Sequence, residues 1–94
     1  MVIGLLSLEF FMPQARSLKD KRMFLRSLKE RLRGRFNIAV AELDYQDLWQ
    51  RALVGVVTLS DRKDFVEKVL NAVLRDIETA GGEAEIVGRR LEFL

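Results

Sequence analysis

The chain opens on a dense apolar run. Val2 to Met12 reads VIGLLSLEFFM and is followed by Pro13. Branched and aromatic residues at this density predict a strand, and proline ends it because it cannot donate to a ladder. The rhythm then changes. Ser17 with Asp20 three residues on is a capping-box variant, Asp standing where Glu or Gln is usual. Leu18, Leu25, Leu28 and Leu32, with Phe24, fall on one side of a helix predicted over Leu18 to Arg33, and Gly34 is the expected left-handed stop. Phe36 to Asp44 (FNIAVAELD) predicts a second strand, and YQDLW a short connection. Arg51 to Leu59 (RALVGVVTL) is apolar almost throughout, as a central strand should be. Ser60 is the expected cap of a second helix, with Asp61 in its first turn. Val66, Val69, Leu70, Val73, Ile77 and Ala80 keep helical spacing up to Gly81-Gly82. Glu83 to Leu94 alternates loosely and predicts a fourth strand.

The order βαββαβ with short connections fits the split βαβ, or ferredoxin-like, arrangement of the α+β class. It predicts a four-stranded antiparallel sheet in strand order 4-1-3-2, with both helices on one face. At 94 residues the expectation is one domain over 1–94. An apolar fraction of 49% with 32% charged residues excludes a disordered chain. So small a core is marginal, which favours a partner that buries more surface.

Composition narrows the chemistry. The chain has no Cys and no His. That removes disulfides, thiol nucleophiles, imidazole bases and the common zinc ligands. No convergent set of other catalytic groups is visible, so no enzyme activity, cofactor or metal is expected. No apolar run is long enough for a membrane span, and the N-terminus lacks a signal-peptide layout. A cytoplasmic protein without membrane contact is expected.

The first helix carries a biased charge. Lys19, Arg22, Arg26, Lys29 and Arg33 follow one another at spacings of 3, 4, 3 and 4, forming a ridge on the flank beside the leucine stripe, and Arg16 precedes it. Residues 16–35 hold nine cations against two anions, a net +7, while the rest of the chain holds seven against twelve, a net −5. The second helix has no such ridge: its polar side mixes Asp64, Lys68, Asn71, Arg75 and Glu78. Like charges at i,i+4 cost a few tenths of a kcal/mol, a cost that an anionic partner offsets. The ridge is therefore the candidate nucleic-acid-binding site: Arg16, Lys19, Arg22, Arg26, Lys29 and Arg33. The competing reading is a solvated or internally paired helix face.

The sheet face away from the helices is the second candidate surface. Ile3, Leu5, Ser7 and Glu9 should face it from strand one, and Asn37, Ala39 and Ala41 from strand two. Strand three offers Leu53, Val57 and Leu59, or else Val54 and Val56. Either choice leaves an aliphatic patch suited to a twofold homodimer. Strand three has no aromatic, which argues against base stacking as in an RNA recognition motif. Gly4 and Gly55 inside central strands point to close packing by a helix or a partner. Tyr45 and Trp49 flank the hairpin connection, where such rings either stack bases or brace a turn, the commoner use. Glu42, Asp44 and Asp47 cluster there as well, but three carboxylates around a hairpin are more often solvated charge than ligands, and no metal site is assigned. The topology is also that of acylphosphatase, yet Met12 to Arg16 lacks the glycines of a phosphate loop, and Asn37 is an unconvincing match to that enzyme's Asn.

The segments PQARSLKDKR (Pro13 to Arg22), FNIAVAELD (Phe36 to Asp44) and QDLWQRALVGVV (Gln46 to Val57) together resemble the YlxP-like family of small bacterial proteins of unknown function. The resemblance spans nearly the whole chain. It implies the same ferredoxin-like fold, and it brings no catalytic residues. The family's genes often lie beside those of translation initiation and ribosome maturation, which implies RNA or ribosome contact by association only. The expectation is a small non-catalytic RNA- or ribosome-associated module, or alternatively a protein-interaction or homo-oligomerisation module built on the open sheet face, with no nucleic-acid role.

Overall fold

The computed structural model describes residues 1–94. The elements follow the order β1 (Val2–Phe11), α1 (Leu18–Arg35), β2 (Ala39–Asp44), β3 (Arg51–Ser60), α2 (Lys63–Thr79) and β4 (Glu85–Phe93). The strands form one antiparallel sheet in the order β2-β3-β1-β4, the order expected, read from the other edge. The fold is the α+β ferredoxin-like arrangement.

The two long apolar runs occupy the middle of the sheet. β1 and β3 pair along their full length, from Val2 opposite Ser60 to Phe11 opposite Arg51. Alternation then sorts their side chains. Leu6, Leu8 and Phe10 from β1, with Ala52, Val54 and Val56 from β3, enter the core. There they meet Leu25, Leu28 and Leu32 of α1 and Val66, Leu70 and Val73 of α2. Phe24 stands edge-on to Phe10, ring centres 5.6 Å apart. Each fully buried aliphatic side chain contributes roughly 1.5–3 kcal/mol. Leu18, expected in the stripe, is only half-buried at the helix start.

Gly4 sets the depth at which α2 packs. A Cβ there would lie 2.5 Å from Val66 Cγ1 and 2.8 Å from Leu70 Cδ1. Gly55 serves the other face, where Leu43 Cδ1 would lie 2.7 Å from an added Cβ. The two glycines thus answer two different close approaches, one by a helix and one by a side chain of β2.

Several boundaries differ from the expected ones. Gly34 does not stop α1: the helix runs on to Arg35, and extended Phe36 caps it, donating its N–H to Leu32 O at 2.9 Å. Two interactions favour the longer helix. Arg35 reaches Asp76 of α2, and Phe36 folds back against the core. β2 starts at Ala39 rather than Phe36, because Phe36–Ile38 is spent on the descent from the helix. Asn37 O there accepts from the Thr58 hydroxyl at 2.9 Å. Ser60 does not cap α2. It stays in the ladder opposite Val2, and Arg62 takes the cap position with no side-chain capping bond. The first-turn acid is accordingly Asp64, not Asp61. Ser17 does cap α1: its Oγ accepts from Asp20 N at 3.1 Å, while Asp20 Oδ2 accepts from Arg16 N at 2.9 Å.

Candidate nucleic-acid interface

α1 is held on the sheet by a leucine seam and by cations that share its core side. Its buried positions are Lys21, Leu25, Leu28 and Leu32, a run at spacings of 4, 3 and 4. A lysine therefore occupies a core position of the helix, only 2% exposed. Its ammonium donates to the carbonyls of Tyr45 and Leu48, at 2.5 and 2.7 Å, and forms an ion pair with Glu42 Oε2 at 2.7 Å. That oxygen is buried and accepts no aligned hydrogen bond, so its interaction with Lys21 is one of charge. Lys21 thus clamps α1 to β2 and to the β2–β3 turn. Sequence reasoning missed it by counting Lys21 among the surface charges. The signal was there: Lys21 is the one cation that falls within the leucine stripe.

The other cations of this segment divide cleanly. Arg31 and Arg35, on the flank facing α2, both bind Asp76, Arg31 Nε lying 3.2 Å from Oδ2. The six predicted residues stand apart. Lys19, Arg22, Arg26, Lys29 and Arg33 line the flank turned away from α2, with Arg16 just before the helix. None has a carboxylate within ion-pair distance. Arg33 only donates back to Lys29 O. Five of the six are exposed and Lys29 is half-exposed. Every cation of the segment off the ridge is paired, and every cation on it is unpaired. At ~1.5 Å per residue, Lys19 to Arg33 spans about 21 Å along a straight axis. The row presents closely spaced donors and little else, chemistry suited to a line of phosphate oxygens.

The hairpin groups do not join this row. Arg51 lies over the Tyr45 ring, 4.2 Å from its centre, and donates to Glu9 Oε2 at 2.6 Å. The Glu9 hydrogen bond holds the exposed Arg51 guanidinium above its usual value. Tyr45, at φ 64, braces the turn, with its N–H bound by Asp44 Oδ1 at 2.7 Å. Trp49 is half-exposed and borders a shallow hollow with Phe11, Leu48, Gln50 and Arg51. Glu42, Asp44 and Asp47 do not converge on a common point: Glu42 faces Lys21, and Asp44 binds backbone.

The open sheet face resolves the choice left on strand three. Leu53, Val57 and Leu59 lie outward with Ile3, Leu5, Ser7 and Glu9, whereas Val54 and Val56 are core. A register shift between Glu42 and Asp44 adds Leu43, which leans over Gly55. Charge borders the patch on one side, where Arg51 meets Glu9 and Arg90 lies near Glu92. No helix is long and apolar enough to cross a membrane.

Comparison with known proteins gives a matching lineage. A family described as a protein of unknown function, DUF503, matches residues 3–90. The chain belongs to this family. The uncharacterized protein YlxP of Bacillus subtilis (strain 168) is 36% identical over 78 residues, covering 83% of this chain and 85% of that protein. The resemblance carried by SLKDKR and QDLWQRA is therefore borne out.

Proposed function

We propose that this protein is a non-catalytic RNA- or ribosome-associated module that holds phosphates on Arg16, Lys19, Arg22, Arg26, Lys29 and Arg33. The supporting observation is the partition of α1: Lys21, Arg31 and Arg35 are paired, and the six ridge cations are not. Six unpaired like charges on one flank repel one another, an anion that comes to them relieves that cost, and a nucleic-acid backbone supplies anions in a row. Without base-reading groups beside the row, binding has low sequence specificity. If all six cations neutralise phosphates, the salt slope is about −4 on a single strand, at ~0.7 per phosphate. The test is RNA affinity across a salt series for the native chain and for a variant carrying Arg22→Glu, Arg26→Glu and Arg33→Glu. A loss of 10-fold or more with a flatter slope supports the proposal. Equal, salt-insensitive binding by both overturns it.

A second reading stands on a different observation. Leu5, Leu43, Leu53, Val57 and Leu59 share the open sheet face, with Leu59 62% exposed. Four strands at ~4.8 Å and ten residues at ~3.3 Å give a footprint of roughly 600 Å². That is close to the ~800 Å² per partner of a standard interface, so the occupant we propose is a second copy related by a twofold axis. Sedimentation at high protein concentration checks it. A dimer lost on Val57→Lys supports the reading, and a strict monomer removes it. The two readings are compatible, because the helices and the open face lie on opposite sides of the sheet.

A further inference from the structure

Resting on the proposal that the α1 ridge binds nucleic acid, we infer that its ligand is the backbone of a double-stranded RNA segment rather than a single strand. The ridge is straight and rigid. Five of its six cations project from one helix, clamped at Lys21 to the β2–β3 turn and at Arg31 and Arg35 to α2. Successive phosphates of one strand wind around a duplex, so a straight row of ~21 Å meets a few of them at positions that base pairing has already fixed. A row that cannot bend suits a phosphate line whose spacing is already set.

The surroundings of the row point the same way. Single-strand binders draw much of their affinity from bases stacked on aromatic rings. The helix that carries this ridge offers no free aromatic ring of its own. Phe24 is packed against Phe10, and Tyr45 and Phe93 are covered by Arg51 and Lys63. Phe36 lies against the core, and Phe11, Trp49 and Phe65 belong to the sheet, the hairpin and α2. α1 also contains no Asn or Gln to read base edges. Double-stranded RNA asks for neither, because proteins recognise it mainly through shape, phosphates and 2′-hydroxyls.

Fluorescence anisotropy at one salt concentration tests the inference with a 16-base-pair RNA duplex, an unstructured 16-nucleotide RNA and a DNA duplex of equal length. The expected result is at least 10-fold tighter binding of the RNA duplex than of the single strand. That affinity should fall at least 10-fold on Arg22→Gln, Arg26→Gln and Arg33→Gln together, with an unchanged circular dichroism spectrum. Equal or tighter binding of the single strand overturns the duplex assignment and leaves the ridge proposal standing. Tighter binding of the DNA duplex overturns the assignment to RNA. Binding of none of the three overturns the ridge proposal itself.

Discussion

Lys21→Met tests whether the clamp beneath α1 is as important to stability as its geometry implies. The substitution keeps the unbranched stem in the leucine seam and removes only the ammonium, which is nearly inaccessible to solvent. Three partners lose it at once: Tyr45 O, Leu48 O and Glu42 Oε2. Breaking a buried pair by removing one charge costs about 3–5 kcal/mol. Here the Glu42 side chain is 19% exposed and the turn carbonyls lie near the surface, so water recovers part of the loss. The expected cost is about 2–3 kcal/mol, a large share of the ~5–15 kcal/mol that holds a small domain together. With a urea m-value of ~1–1.5 kcal/mol/M, the unfolding midpoint drops by about 2 M. Adding Glu42→Met removes the stranded carboxylate and should restore at least half of the loss, because a buried ion pair replaced on both sides by apolar groups is often near neutral. A single variant within ~0.5 kcal/mol of the native chain, the range of an ordinary surface change, refutes the clamp. A double variant no better than the single one refutes the role given to Glu42.

The packing of the glycines and the surface ion pairs leads to further expected outcomes. Gly34→Ala should stabilise by about 0.5–1 kcal/mol in thermal or urea unfolding, since the position is helical and nothing lies within 4 Å of an added Cβ. Gly4→Ala should destabilise by about 1–3 kcal/mol, because its methyl would collide with Val66 and Leu70; a neutral result would show that α2 shifts freely. Asp76→Asn should cost about 1 kcal/mol in the same assay, a modest figure because its partners Arg31 and Arg35 remain partly solvated, and no change would mean that water serves them equally well. The Arg62 hydrogen bond holds the Asp64 carboxyl below its ordinary value. Whatever that pair adds to stability is complete above the usual carboxylate range and is lost as pH falls through the lowered Asp64 value. Arg62→Ala should return the Asp64 titration, followed by NMR, to the ordinary range; an unmoved curve contradicts the assignment.

The path of the chain was legible because its strongest signals are periodic and long. β1 and β3 announce themselves as apolar runs, α2 as a regular stripe, and Ser17 as a cap. The errors cluster where tertiary partners outweigh a local preference. Gly34 has the chemistry of a stop, but Arg35 gains Asp76 by staying helical. Ser60 has the chemistry of a cap, but it pairs with Val2 first. The ridge could be read from spacing alone. Its freedom from internal partners could not, because Asp76 lies some forty residues from the arginines it binds and sequence does not say which cations it takes. The outward set on β3 was equally hidden: both alternations are aliphatic, and only pairing with β1 separates them.

The two register shifts have a consequence for growth of the sheet. β2 and β4 form its borders, and each carries an irregularity, at Leu43 in one and beside Val87 in the other. A border interrupted in this way, and lined on β4 by Glu85, Arg89, Arg90 and Glu92, is a poor template for a foreign strand. Lateral polymerisation into fibrils is thereby discouraged, although the middle strands are rich in the segments that would otherwise drive it.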